Sequence, residues 1–173
     1  EKRKTSYAAD GIVRCLYIFD AASSFERKNP LAVLRAFTQA FAPGEAELTF
    51  KISNADLQEP IFGSFQAACA PYPHVRIITD SLDRAALEQL YLAHDIYLSL
   101  HRSEGYGLTI RGAMLYGLHV IATGWSGNMD FMQGELVHAV PYELVPVQLN
   151  FGPCKGMKAR WAEADLNAAA TML

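Results

Sequence analysis

Short apolar runs alternate with amphipathic segments along most of the chain. Runs rich in β-branched and aromatic residues predict five strands, at 13–19, 47–53, 74–79, 95–100 and 119–123. Between them, helical spacing or helix-start signals predict helices from Asn29-Pro30 to about 41, over 57–70, from Asp83 through His94, and within 100–117. Strands that alternate with helices pair in parallel through right-handed crossovers. The pattern therefore predicts an α/β fold, a Rossmann-like parallel sheet flanked by helices.

The pattern loosens after Gly124. Residues 140–158 contain three prolines and predict a loop or crossing segment, and the alanine-rich tail 159–173 predicts a helix. We expect residues 1–173 to form a single domain. Because the chain begins with Glu rather than Met, we also expect it to be a piece of a longer chain.

Composition restricts the classes of function. The chain is 51% hydrophobic and 19% charged with a net charge of −3, which is typical of a globular domain and gives no electrostatic footprint for nucleic acid. No apolar run approaches the length of a membrane span. Three scattered cysteines indicate reduced thiols and a cytoplasmic protein, and five histidines without ligand spacing predict no metal.

Ligands of open parallel sheets bind beyond the carboxyl ends of the strands, where loops lead into helices. Three polar loops leave such ends, at 20–29, 101–107 and 124–130. In the second, Gly105 and Gly107 allow a ligand to approach the backbone, and a phosphate would meet free amides at the start of a helix. Glu104 repels phosphate but accepts hydrogen bonds from hydroxyls, so a sugar beside a phosphate fits. The alternative is that Glu104 only complements the helix dipole.

Weaker candidates surround this loop. Arg27 and Lys28 precede a helix near a strand end and are candidates to hold a diphosphate, the alternative being an ordinary solvated pair. Ser126, Gly127 and Asn128 belong to a candidate second phosphate or sugar loop. Ile110 breaks a dinucleotide fingerprint, and neither a P-loop nor a hydrolase elbow is present.

Two segments resemble a known family. "SEGYGLTIRGAMLYG" and "HVIATGWSGNMDFM" resemble the C-terminal, nucleotide-sugar-binding domain of GT-B retaining glycosyltransferases of the family 4 type. "SSFERKNP" is similar to that family's phosphate-binding loop, and "RWAEADLNAAATML" to the closing segment of some bacterial members. The resemblance implies one half of a two-domain enzyme, with an N-terminal GT-B domain outside this chain and a C-terminal helix packing across to it.

The resemblance also implies roles for individual residues. Glu104 would accept hydrogen bonds from donor-sugar hydroxyls, and Lys28 would bind the diphosphate. The family's arginine position falls on Ser23, with Arg27 as the substitute. Two larger groups follow: the amides that would hold sugar and distal phosphate belong to Gly105, Tyr106, Gly107 and Leu108, and the turn that would line the base contains Thr79, Asp80, Ser81 and Leu82.

One family residue is missing. The second glutamate of the motif, which binds the ribose hydroxyls, falls on Gly112, eight positions after Glu104. A hydrogen bond to a charged group contributes about 1.5–3 kcal/mol, so its loss should weaken nucleotide binding by roughly tenfold to a hundredfold. Glycine inside a helix costs about 1 kcal/mol more relative to alanine. The second half of the motif is therefore damaged or specialised.

Three hypotheses follow. The first is the donor-binding domain of a transferase that moves a hexose from a nucleotide-diphosphate sugar to an acceptor with retention, inactive as an isolated domain and using neither cofactor nor metal. The second is a degenerate, non-catalytic domain acting as a sugar-nucleotide sensor or scaffold. The third is an unrelated Rossmann-like nucleotide-binding module. No catalytic residue is assigned, and peripheral membrane association of the full-length protein is an alternative to a purely cytoplasmic location.

Overall fold

A six-stranded parallel sheet forms the centre of the molecule. The computed structural model describes residues 4, 6–8, 10–147 and 158–173. The sheet has the order β3-β2-β1-β4-β5-β6, and its strands are β1 (Val13–Asp20), β2 (Ala46–Ser53), β3 (Val75–Ile78), β4 (Ile96–Ser99), β5 (His119–Thr123) and β6 (Val137–Val140). The α/β Rossmann-like prediction is confirmed, as are its five strands. The sixth, β6, was not predicted.

The helices flank this sheet: α1 (Phe25–Lys28), α2 (Pro30–Ala40), α3 (Ile61–Cys69), α4 (Arg84–Leu92), α5 (Leu108–Tyr116) and α6 (Leu166–Met172). Asp83 caps α4 as predicted, since its carboxylate accepts from the Ala86 amide. The predicted helix 57–70 instead begins at Ile61, after a short 3₁₀ turn over Ala55–Gln58. Pro60 explains the break, because the residue before a proline avoids helical torsions and Glu59 is extended.

Strand β1 lies at the centre of the core and pairs on both sides. It runs beside β2 along its whole length, from Val13 opposite Ala46 to Asp20 opposite Ser53, and beside β4 at Cys15 and Leu16. Residues 15–19 are buried, as expected for a parallel strand covered on both faces. The chain order reverses between β1 and β4, so the carboxyl ends of these strands form the crevice where such sheets bind ligands.

The C-terminal part differs from the prediction. Residues assigned to a loop within 140–158 form β7 (Tyr142–Pro146), and the first half of the predicted helix 159–173 forms β8 (Arg160–Ala164). These strands pair antiparallel in a separate two-stranded sheet. The helix is limited to α6, which Asp165 caps, and it packs on α2. Positions 148–157 lie outside the described residues, and packing of α6 on a second domain stays a prediction.

Two cysteines of the described residues, Cys15 and Cys69, are free and buried, and burial raises the pKa of both thiols, that of Cys69 to about 11. Cys154 is outside the described residues. Within the part of the chain that the structure describes, no helix combines the length and apolar character needed to cross a bilayer.

Candidate functional site

The loop after β1 presents two cations at the crevice. The Asp20 carboxylate accepts from the Ala22 amide, and the Ser24 hydroxyl accepts from the Arg27 amide, so two successive caps turn the chain into α1. Arg27 and Lys28 occupy its last turn. The buried Tyr17 hydroxyl donates to the Lys28 carbonyl at 2.6 Å and anchors the end of the helix to β1.

An ion pair joins this loop to the loop after β4. Lys28 Nζ lies 2.5 Å from Glu104 Oε1, and Arg27 Nη1 lies 3.6 Å from Glu104 Oε2. The Lys28 and Glu104 side chains are each 11% exposed, so the pair is largely shielded but keeps contact with solvent. The three residues carry one net positive charge at the point where the sequence predicts a diphosphate and a sugar.

Arg27 is held by backbone carbonyls. Its guanidinium donates twice to the Ser23 carbonyl, at 3.1 and 2.8 Å, and once to the Ser103 carbonyl at 2.5 Å. The Ser23 hydroxyl itself donates to the Asp20 carbonyl. The Arg27 guanidinium thus lies against the backbone of residue 23, and its role as the substitute for an arginine at position 23 stays a prediction.

Residues 104–107, here called the glycine loop, lead into α5. Gly107 has a φ of +87° and begins the helix without any side-chain cap. Within the described residues, the amides of Gly105, Tyr106 and Gly107 donate to no protein acceptor. Leu108 follows with 76% of its surface exposed. Free amides and the positive end of a helix are groups that favour anions, and here both lie next to Glu104 of the ion pair; anion binding by them stays a prediction.

A second loop holds the glycine loop in place through hydrogen bonds and close backbone contact. The Ser126 hydroxyl accepts from the Glu104 amide at 2.7 Å and donates to the Glu104 carbonyl at 2.9 Å, and the Gly127 amide donates to the same carbonyl. A Cβ on Gly127 would lie 1.9 Å from the Gly105 carbonyl oxygen. Residues 124–130, the bracing loop, thus fix the glycine loop through contacts between backbones.

The contacts found for the bracing loop are structural. Asn128 is fully buried, its Nδ2 donates to the Thr123 carbonyl, and its Cβ lies beneath Gly107. Contact of Ser126, Gly127 or Asn128 with a ligand stays a prediction.

Gly112 faces another helix across a very short distance. A Cβ there would lie 2.9 Å from Tyr91 Oη and 3.1 Å from Tyr91 Cζ. Tyr91 is 4% exposed, donates to the Thr109 carbonyl at 3.2 Å, and stacks on Tyr116 with ring centroids 5.1 Å apart. The Tyr91 side chain, which belongs to α4, therefore occupies the space into which a larger side chain at position 112 would extend. Position 112 is thus occupied by a close contact between α4 and α5, and the loss of a ribose-binding glutamate there stays a prediction.

The predicted nucleoside turn lies farther along the same edge. Residues 79–82 connect β3, the outermost strand, to α4, and Thr79, Asp80 and Ser81 are exposed while Leu82 is half-buried. No recorded contact within the described residues joins this turn to Lys28 or Glu104.

Sequence reasoning missed His101 and the Arg102 contacts. His101 is fully buried between β4 and Glu104, and burial lowers its pKa to about 4. Arg102 donates from its amide to the Arg27 carbonyl and from Nε to Glu163 at 2.8 Å, and it lies 5.0 Å from the Trp161 ring. Strand β8 is thereby tied to the site. The only sequence signal was the position of His101 and Arg102 directly after a buried strand.

Within the described residues, no three His, Cys, Asp or Glu side chains gather as a metal site. The expectation that no metal or cofactor is required stays a prediction.

Tyr106 packs on Phe131 with centroids 4.9 Å apart, and the Arg111 guanidinium contacts the Tyr106 hydroxyl and lies over its ring. Arg111 therefore turns toward Tyr106.

Solved structures share this fold. The C-terminal domain of a glycosyl transferase group 1 family protein from Francisella tularensis has a TM-score of 0.54 at 20% identity, over 78% of this chain and 71% of that chain. Sucrose-phosphate synthase from Thermosynechococcus elongatus has a TM-score of 0.68 at 18% identity, over 92% and 34%. Anabaena HepE, solved in complex with UDP-glucose, has a TM-score of 0.58 at 17% identity, over 70% and 32%.

This chain thus spans about a third of the length of the last two proteins. Neither the protein-family models nor the curated proteins compared with the sequence give a match. The likeness to these structures shows that the fold is that of a GT-B glycosyltransferase domain.

Proposed function

We propose that this chain is the donor-binding domain of a retaining glycosyltransferase of the family 4 type, which takes a hexose from a nucleotide-diphosphate sugar. The observation that carries the proposal is the 2.5 Å pair of Lys28 and Glu104 beside the free amides of the glycine loop. A cation, an acid and a row of N–H donors match the phosphates and hydroxyls of such a donor.

Binding of the donor would replace the contact between Lys28 and Glu104 by contacts of each side chain with the ligand. The diphosphate takes Lys28, Arg27 and the amides of the glycine loop, while sugar hydroxyls donate to Glu104. Each charge gives up one charge-assisted hydrogen bond and receives another. The exchange therefore leaves neither Lys28 nor Glu104 as an uncompensated charge. Because each side chain is only 11% exposed, such a charge would be strongly unfavourable.

In this proposal the chain contributes positioning and electrostatics to the reaction. As the bond between sugar and diphosphate breaks, negative charge grows on the leaving diphosphate, where Lys28 and the positive end of α5 stabilise it. The acceptor and any proton-transferring group belong to the N-terminal GT-B domain of the full-length, cytoplasmic protein. No resident metal or cofactor takes part.

A second candidate is a degenerate domain that senses sugar nucleotides without transferring sugar. The observation that favours it is Tyr91, which fills the space that a side chain at position 112 would need and so leaves no room there for a ribose-binding glutamate. The two candidates differ in the full-length protein. A sensor binds the donor without releasing nucleoside diphosphate in the presence of cell extract as acceptor source, whereas a transferase releases it.

The test is calorimetric titration of UDP-glucose and GDP-mannose into the wild-type chain and into Glu104→Gln and Lys28→Met. Loss of a hydrogen bond to a charged group, worth about 1.5–3 kcal/mol, should weaken binding by roughly tenfold to a hundredfold. The matched controls are Glu135→Gln, at the amino-terminal edge of the sheet near β6, and the exposed Lys158→Met.

Both controls should bind like the wild type. Absence of binding by the wild type to either donor at millimolar concentration would contradict the proposal, as would equal affinities of Glu104→Gln and Glu135→Gln.

A further inference from the structure

His101 carries two buried polar atoms without partners. Its ring is fully buried, and neither Nδ1 nor Nε2 has a hydrogen-bond partner within the described residues. Buried polar atoms are nearly always paired, because an unpaired one loses its hydration without compensation. An imidazole left in this state beside a candidate site requires a physical reason.

The ring is buried close enough to the Lys28–Glu104 pair to feel the charges of both residues. His101 follows β4 three residues before Glu104, and the Arg102 amide joins the Arg27 carbonyl at 2.8 Å. After burial, which lowers its pKa most, the charges that act on the ring are Glu104, which raises the pKa, and Lys28 and Arg27, which lower it. Because the pair keeps solvent contact and the ring has none, the ring is the deeper group.

We propose that His101 is a further donor-binding residue, which the Lys28–Glu104 pair covers until a sugar nucleotide separates the two side chains. The inference rests on the proposed function. When Lys28 turns to the diphosphate and Glu104 to the sugar, the ring becomes accessible from the crevice. A neutral imidazole has one donor and one acceptor nitrogen, which matches a hydroxyl of the hexose, itself both donor and acceptor.

A purely structural role predicts a different behaviour. Thr123 Oγ1 and Asn128 Oδ1 are also buried and unpartnered, in β5 and the bracing loop next to β4. If a buried water joined these atoms to the ring, His101 would stabilise the free protein and have no specific effect on the sugar. Replacement by an apolar ring separates the two roles, because it removes both nitrogens and leaves a side chain of similar shape.

The experiment compares His101→Phe and His101→Gln with the wild type, by thermal unfolding and by titration of UDP-glucose, GDP-mannose, UDP and GDP. We expect His101→Phe to keep or raise the melting temperature, and to bind the donor recognised by the wild type about three- to tenfold more weakly, the effect of one neutral hydrogen bond. Affinity for the corresponding diphosphate should be unchanged. His101→Gln, which keeps a donor and an acceptor, should recover most of the lost affinity.

The inference is overturned if His101→Phe binds the donor as the wild type does, or if it unfolds at lower temperature and loses diphosphate and donor affinity equally. If the wild type binds neither donor, the proposed function fails as well. Should His101→Phe not fold, nitrogen NMR of the wild-type ring decides. The donor must shift the His101 signals beyond the shift that the diphosphate alone causes, and identical signals with donor and diphosphate refute the contact.

Discussion

Substitution of Gly112 by alanine should destabilise the protein, although alanine is the better helix former. In an exposed helix this change would stabilise by about 1 kcal/mol. Here the new Cβ would lie 2.9 Å from Tyr91 Oη and 3.1 Å from Tyr91 Cζ, closer than packed atoms come. Overpacking of this kind costs about 1–3 kcal/mol.

Displacement of Tyr91 would relieve the contact only by weakening other interactions. Its hydrogen bond to the Thr109 carbonyl contributes about 1 kcal/mol, and its stacking on Tyr116 about 0.5–1.5 kcal/mol. Because Tyr91 is buried, hydrogen-bonded and stacked, we place the cost in the upper part of the overpacking range, about 2–3 kcal/mol. With the helix-propensity gain of about 1 kcal/mol subtracted, Gly112→Ala should lower the free energy of unfolding by about 1–2 kcal/mol.

The assay is a double-mutant cycle with Tyr91→Phe, measured by urea unfolding at about 25 °C. Removal of the hydroxyl eliminates the closest contact, so Gly112→Ala should be close to neutral in the Tyr91→Phe variant, with a coupling energy of about 1–2 kcal/mol. Gly105→Ala is the control, because a Cβ there meets nothing within 4 Å. Stabilisation by Gly112→Ala when Tyr91 is intact, or zero coupling, would refute the steric role of Tyr91 at position 112.

Two further predictions concern the loops of the site. Gly127→Ala places a Cβ 1.9 Å from the Gly105 carbonyl oxygen. It should therefore lower the free energy of unfolding by about 3 kcal/mol and abolish donor binding. A free energy of unfolding, measured in urea, within about 0.5 kcal/mol of the wild-type value would contradict the contact between the loops. Burial lowers the pKa of His101 from 6.5 to about 4, so as the pH falls the unfolded chain binds the proton first and stability is lost between these values. Between about pH 7 and pH 5 the free energy of unfolding of the wild type should fall by about 2 kcal/mol more than that of His101→Phe. Urea unfolding that shows the same pH dependence for both proteins would contradict the burial of His101.

Five strands of the main sheet were predictable because each lies in a run of β-branched, aromatic or other apolar residues. Strand β6 was missed because its four residues, partly exposed, include His138 and Ala139 between two valines and give no such run. Strand β8 was mistaken for helix because it lies in the alanine-rich tail 159–173, although β8 itself holds only two alanines among its five residues. Its conformation is set instead by pairing with β7 and by the contact of Trp161 with Arg102.

For the candidate site, the proximity of two predicted residues could be expected from their positions after neighbouring strands, while their ligand contacts stay predictions. Lys28 and Glu104 are 76 residues apart, yet both follow strands that are neighbours in the sheet, so their meeting follows from topology. The role of Gly112 did not follow, because the space beside it is set by the approach of α4 to α5. The contact of Gly127 with Gly105 likewise depends on how two loops fold together, which no local pattern encodes.

The shielded Lys28–Glu104 pair also bears on what happens after a reaction of the proposed kind. Once the hexose has left, the remaining nucleoside diphosphate offers no hydroxyl at the acid, and Glu104 is free to pull Lys28 back. The spent nucleotide then competes with an internal carboxylate held at an effective concentration that no solute can match. The same two side chains that bind the intact donor would speed the dissociation of the nucleoside diphosphate. Product inhibition would then limit turnover less than in an enzyme whose lysine has no carboxylate partner.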